Sequence, residues 1–172
     1  RLFNEQELSI VDCKDYLNRA IELLQERNHD VKIIFTVSPI RYAKYGYHAS
    51  QLSKAALLLS VHDVIGEHVD ENVAYFPAYE IVNDELRDYR FYKADMLHPN
   101  EQAVEYIWER LVDMYFSPSA KEFLHEWKPV KEAFAHRPFN PESSEYKNFM
   151  VKMRAHAKLL AQKYNGLIIE DQ

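Results

Sequence analysis

The stretch Ser9–Pro39, "SIVDCKDYLNRAIELLQERNHDVKIIFTVSP", decides the fold class. Its first part predicts an amphipathic helix, because Leu17, Ala20, Ile21 and Leu24 recur at the spacing that puts them on one face. Ser9 or Asp12 can cap its start with a side-chain oxygen that accepts a free backbone N–H. The run Val31–Val37 is short and β-branched, the pattern of a strand buried on both faces. Pro39 has no N–H to donate and stops it. Helix, short link and buried strand are half of a parallel α/β unit.

The rest of that unit follows. "SQLSKAALLLSVHDVIG" predicts a second helix, capped near Ser50 and closed by Gly66, with Leu52, Ala55, Ala56 and Leu59 as its apolar stripe and Val64 as a candidate extension of it. "NVAYFPAYE" predicts a second strand interrupted by Pro77. Pro99 occupies the preferred first position of a third helix, whose buried side holds Ala103, Val104, Ile107, Trp108 and Leu111. The expected elements are strands near 31–37 and 72–76 and helices near 10–27, 50–65 and 99–115. Beyond Ser117 the pattern is helical, with a break or kink at Pro129 and a long amphipathic helix ending at Gly166; only "LIIE" at 167–170 reads as a further strand. The division expected is an α/β portion, residues 1–116, and a helical extension, residues 117–172. The α/β portion is expected to be a partial three-layer parallel sheet. Two parallel strands do not make a stable unit alone, so further strands are expected from a missing N-terminal region or from a homo-oligomer.

Composition narrows the function. A net charge of −6 argues against binding a nucleic-acid backbone, which calls for a basic face. No run of apolar residues is long enough to span a membrane. One cysteine, Cys13, excludes an intrachain disulfide and fits a cytoplasmic setting. Three glycines cannot furnish a phosphate-binding loop or a dinucleotide fingerprint, so no cofactor is expected. His62 and His68, His125 and His136 match no zinc spacing, and no metal is expected.

The chemistry-bearing stretch is "YRFYKADMLHPN", Tyr89–Asn100. A carboxylate three residues before an imidazole fits one tight turn, so Asp95 can accept a bond from His98 Nδ1 and leave the other ring nitrogen as a general base. The plain alternative is a surface histidine beside a turn-capping aspartate. Arg41, just past the first strand, can hold a substrate carboxylate or phosphate bidentately, or form a salt bridge to Asp84, Glu85 or Asp88. Arg87, Asp88 and Arg90 can brace the Asp95–His98 loop as an ion-pair network, or lie solvated on a loop. Ser38 stands at the site-like end of the first strand but lacks the glycine-rich sharp turn of a nucleophilic serine, and Ser50 and Ser53 sit at a helix start where capping explains at least one of them.

Taken together, "TVSPIRY", "LSKAALLLS" and "YFPAYEIVNDELRDYRFYKADMLHP" resemble the GSCFA family, a branch of the SGNH/GDSL-like hydrolases. The resemblance covers roughly residues 30–116, and it implies a flavodoxin-like, SGNH-type sheet. It implies catalytic roles for Asp95 and His98 serving a serine in a Gly-Ser-Cys-Phe-Ala motif that this chain does not contain. The chain is therefore expected to be the C-terminal part of a serine esterase or lipase-like enzyme, acting in full length on a small ester or acylated substrate. The competing expectation is a binding or scaffolding module in which Phe123, Trp127 and Phe134 dock a partner rather than pack.

Overall fold

The computed structural model describes residues 6–69 and 72–167, which form two compact units, Arg1–Leu111 and Val112–Gln172. In the first, α1 (Ile10–Arg27) begins with a complete capping box: Ser9 Oγ accepts the Asp12 N–H at 3.1 Å, and Asp12 Oδ2 accepts the Ser9 N–H at 2.9 Å. Both candidate caps are used, each on the other. Asn28 ends the helix, its N–H reaching the Leu24 carbonyl at 2.9 Å. The chain then enters β1 (Ile33–Phe35).

α2 (Tyr47–Glu67) carries the chain back, and β2 (Val73–Tyr75) lies parallel to β1, with Ile33 opposite Val73 and Phe35 opposite Tyr75. The crossover is helical because a parallel pair cannot be closed by a tight turn. Ile21 of α1, Val64 of α2 and Val73 of β2 form the core, with Leu17, Ile33, Phe35 and Ile65 packed against them. Ser60, fully buried on α2, donates to the Ala56 carbonyl at 2.7 Å and lies 3.0 Å from the Ile10 carbonyl, tying α2 to the start of α1.

The helices and strands fall where the sequence predicts them, but the architecture differs. Among the described residues the sheet has two strands, order β1–β2, and most of those residues are helical. The expected three-layer, flavodoxin-like, SGNH-type sheet is not formed among the described residues. The apolar stretch that follows β2 coils instead of extending: α3 (Ala78–Glu80) runs into a π-helical turn, Ile81–Leu86, that buries Ile81 and Val82. A 3₁₀ turn, Tyr89–Phe91, and α4 (Glu101–Tyr115) follow. One βαβ unit is a local pattern and does not dictate how many strands join it.

Two faces were assigned differently from the sequence pattern. On α2 the buried side is Ser50, Lys54, Ser60, Val61 and Val64, while Leu52 and Leu59 are more than half exposed. On α4 Ala103 is buried, whereas Val104 and Trp108 face outward. Gly66 lies inside α2 and Pro99 lies before α4; Asn100 caps that helix by accepting the Ala103 N–H on Oδ1 at 3.0 Å.

The second unit pairs α5 (Pro118–Ala135) with α6 (Ser144–Lys163), each capped by the preceding serine, Ser117 and Ser143. α5 runs on through Pro129. Val130, Ala157 and Leu160 form its core, with Trp127 and Tyr164 against them; Phe123 stacks on Trp127 at 6.1 Å and meets Tyr164 edge-on at 4.9 Å. Phe123 and Trp127 therefore pack, while Phe134 is exposed. Residues 168–170 of "LIIE" lie outside the described residues.

Candidate functional site

The turn that carries Asp95 and His98 is held from both sides. Lys93 N–H donates to the His98 carbonyl at 2.8 Å, Met96 N–H to the Lys93 carbonyl at 2.9 Å, and Asn100 N–H to the Phe91 carbonyl at 2.8 Å. Tyr92 and Pro99 pair across its base as an antiparallel bridge. Met96 sits at φ +60°, a left-handed conformation that a non-glycine residue adopts only when its surroundings over-determine it.

Asp95 organises the turn. Its Oδ1 accepts the N–H of Leu97 at 2.8 Å and of His98 at 3.0 Å, and its Oδ2 lies 2.6 Å from His98 Nδ1. The His98 and Leu97 backbone N–H groups, followed by the His98 ring, hold the Asp95 carboxyl down to about 2. It is therefore ionised at neutral pH and can only accept. The 2.6 Å contact then requires the proton on His98 Nδ1, which leaves Nε2 of the neutral ring with its lone pair outward. Both side chains remain about half exposed.

Arg41 straps this turn to the end of the β1 segment. Its backbone N–H donates to the Leu97 carbonyl at 3.0 Å, and its Nη1 to the Met96 carbonyl at 3.0 Å. Tyr47, Tyr89 and Tyr92 surround the guanidinium, their ring centroids 4.5, 5.5 and 5.8 Å from its central carbon. None of Asp84, Glu85 and Asp88 pairs with it among the described residues. Among the described residues no side-chain bond joins Arg87, Asp88 or Arg90 to the Asp95–His98 pair. Asp88 caps the 3₁₀ turn through the Arg90 N–H at 2.8 Å, and its ion pair to Arg90 is exposed at 3.8 Å. Arg87 takes φ +32° at the end of the π-helical turn, its N–H on the Val82 carbonyl.

Arg41 also lines two adjoining cavities, and so joins the turn to them. One, of about 310 Å³, includes Gln51, Asn83, Arg87, Tyr89 and Tyr92 in its wall; the other, of about 60 Å³, includes Tyr47, Ser50, Lys54 and Tyr79. Lys54 was not among the candidates read from the sequence. The signal was present: Ser50, Lys54, Val61 and Val64 repeat at intervals of three, four and seven, a helical stripe with a lysine on it.

Among the described residues no serine is bonded to the His98 ring to complete a triad. Asp95 is the only side chain bonded to the His98 ring among the described residues. Ser38 Oγ accepts the Ile40 N–H at 3.3 Å, and Ser50 Oγ accepts the Tyr42 N–H at 3.1 Å, both in backbone-turn roles. No group of three or more His, Cys, Asp or Glu side chains fit to hold a metal occurs among the described residues. The expected serine esterase or lipase-like activity is thus without its nucleophile. No helix among the described residues is long and apolar enough to cross a membrane.

The model of the GSCFA family matches residues 1–111, and that of the GSCFA domain protein, C-terminal domain, matches residues 127–171. No curated protein and no solved structure matches the chain. The matches correct the expectation of a C-terminal part alone, since two family models together cover residues 1–111 and 127–171, nearly the whole of this chain. With the two-stranded, largely helical architecture, they also leave no support for the SGNH/GDSL-like hydrolase description. What the first 111 residues do establish is kinship: the chain belongs to the GSCFA family.

Proposed function

We propose that the Asp95–His98 turn is an acid–base element, with His98 as proton acceptor and donor and Asp95 as the carboxylate that orients it. The observation that carries this reading is the 2.6 Å contact between His98 Nδ1 and Asp95 Oδ2 on a turn whose backbone N–H groups hold the same carboxylate. A carboxylate fixed in this way sets the tautomer, aims Nε2 away from the turn, and stabilises the imidazolium that forms when a proton arrives. Arg41 has two roles in the proposal. It fixes the turn through the Met96 carbonyl, and its remaining N–H groups hold a negatively charged part of the ligand in the adjoining cavity. The single Cys13 fits a reducing compartment, and a cytoplasmic setting is part of the same proposal.

The test is the reactivity of Nε2. Acylation by diethyl pyrocarbonate, followed by peptide mass analysis, reports a neutral and accessible imidazole nitrogen. His98 is expected to be modified several-fold faster than in the Asp95→Asn variant, with the other histidines as internal standards. Equal rates in the two proteins would remove the orienting role from Asp95 and the reading with it.

A further inference from the structure

Cations converge on the two adjoining cavities, and too little negative charge meets them. Lys54, in the second turn of α2, is only 9% exposed. Its Nζ donates to the Ser38 carbonyl at 2.6 Å, and no described carboxylate pairs with it. Burial pushes its pKa down. A buried ammonium held by one neutral acceptor is under-compensated, because a carbonyl dipole replaces only part of the lost hydration.

The other two cations are arginines. Arg41 lies on the wall shared by both cavities. Arg87 stands on the larger one, at its left-handed corner, with no described acceptor for its guanidinium. The only acidic residue in either lining is Asp88, whose Oδ1 is engaged by the Arg90 N–H. Neutral donors complete the wall. Gln51 accepts from the Tyr79 hydroxyl on Oε1 at 3.0 Å, which fixes the amide and leaves its NH₂ to donate.

We propose that this double cavity binds a small oxyanion, the carboxylate or phosphoryl group of a small polar molecule, with Lys54 as its buried counter-charge and Arg41 and Arg87 as its clamp. At about 310 Å³ the larger cavity is at the small end of ligand sites, which limits the guest to a compact molecule. Planar guanidinium groups engage two oxygens of a carboxylate or a phosphoryl group bidentately, and Tyr89 and Tyr92 stand in the same wall. The proposal gives the substrate class for the acid–base reading and rests on it only for the shared use of Arg41.

The test is titration of the whole chain at low ionic strength with inorganic phosphate and, separately, with succinate. Binding is followed by calorimetry and by amide shifts of residues around Lys54 and Arg87. Saturable one-site binding of either anion is expected, and the tighter of the two names the class. Lys54→Met and Arg87→Met are each expected to weaken it by about tenfold or more. Arg87 is exposed, so its variant keeps the test sound should Lys54→Met fold poorly. Absence of saturable binding for both anions, or equal affinity in wild type and both variants, would overturn the proposal. Neither outcome bears on His98, whose reactivity is read without any anion present.

Discussion

Replacing Lys54 by methionine should make the protein more stable. The side chain lies on the buried stripe of α2, 9% exposed, and its only described partner is the Ser38 carbonyl at 2.6 Å. Keeping an ammonium there costs several kcal/mol of lost hydration. The charge-assisted bond returns about 1.5–3 kcal/mol. Methionine has nearly the same length, keeps the stem's apolar contacts and carries no charge. Ser38 is exposed, so its carbonyl can take a water in place of the ammonium. The difference favours the variant by about 1–2 kcal/mol, or a rise in melting temperature of about 4 °C or more for a unit of this size. Urea unfolding by circular dichroism should show a higher midpoint at unchanged slope.

The pH dependence gives an independent check on the same residue. The folded pKa of Lys54 is depressed below its ordinary 10.5 by burial. Between the two values the unfolded chain holds the proton and the folded chain does not, so wild-type stability gains with rising pH across that window. The methionine variant should lack this gain. With saturating phosphate or succinate the gap should close, since an anion that binds the folded wild type about tenfold more tightly stabilises it by about 1.4 kcal/mol more than the variant. A variant less stable than wild type by more than about 1 kcal/mol would show that the bond to Ser38 outweighs the burial cost. Lys54 would then be a strut, with no need of a counter-ion.

Two further outcomes concern the first unit. The Asp95 carboxyl is held down to about 2, from an ordinary 3.8, so its contribution to folding is complete above the ordinary value and disappears as pH falls towards about 2. Asp95→Asn should remove that part of the acid limb of a stability–pH profile, and Asp95→Ala should speed hydrogen exchange at the Leu97 and His98 amides. Ser9→Ala breaks the capping box of α1 and should cost about 1 kcal/mol in urea unfolding, because the Asp12 N–H loses the Ser9 hydroxyl that accepts it.

What the sequence predicted well was local. α1 is bounded by a capping box on one side and by the Asn28–Asp30 turn on the other, all of it written within a few residues. The β-branched run gave β1, the stretch before Pro77 gave β2, and the three-residue spacing gave the Asp95–His98 bond. What it hid was non-local or unpatterned. The apolar residues of α2 fall on more than one face, with Leu52, Leu57 and Leu59 exposed and Ser50, Lys54 and Ser60 buried, so hydrophobic periodicity could not choose its buried face, and Lys54 passed unnoticed. The π-helical turn at Ile81–Leu86 has a strand-like apolar beginning, and its outcome depends on Arg87 accepting a left-handed backbone. Arg41 stands far along the chain from Met96 and Leu97, and only the folded structure shows that it straps their carbonyls. The three-layer fold was extended from one βαβ unit and a family resemblance, and neither contains the hydrogen bonds of a third strand.

The central claim concerns where one proton resides, and nitrogen-15 correlation spectra of the histidine rings read that directly. At a pH where His98 is neutral, its ring should show a protonated Nδ1 and a bare Nε2, because the Asp95 carboxylate can only accept. Asp95→Asn places an amide there whose Oδ1 is already occupied by two backbone N–H groups, so its NH₂ faces Nδ1 and the proton should move to Nε2. A wild-type ring already protonated on Nε2, or a tautomer unchanged by Asp95→Asn, would contradict the account.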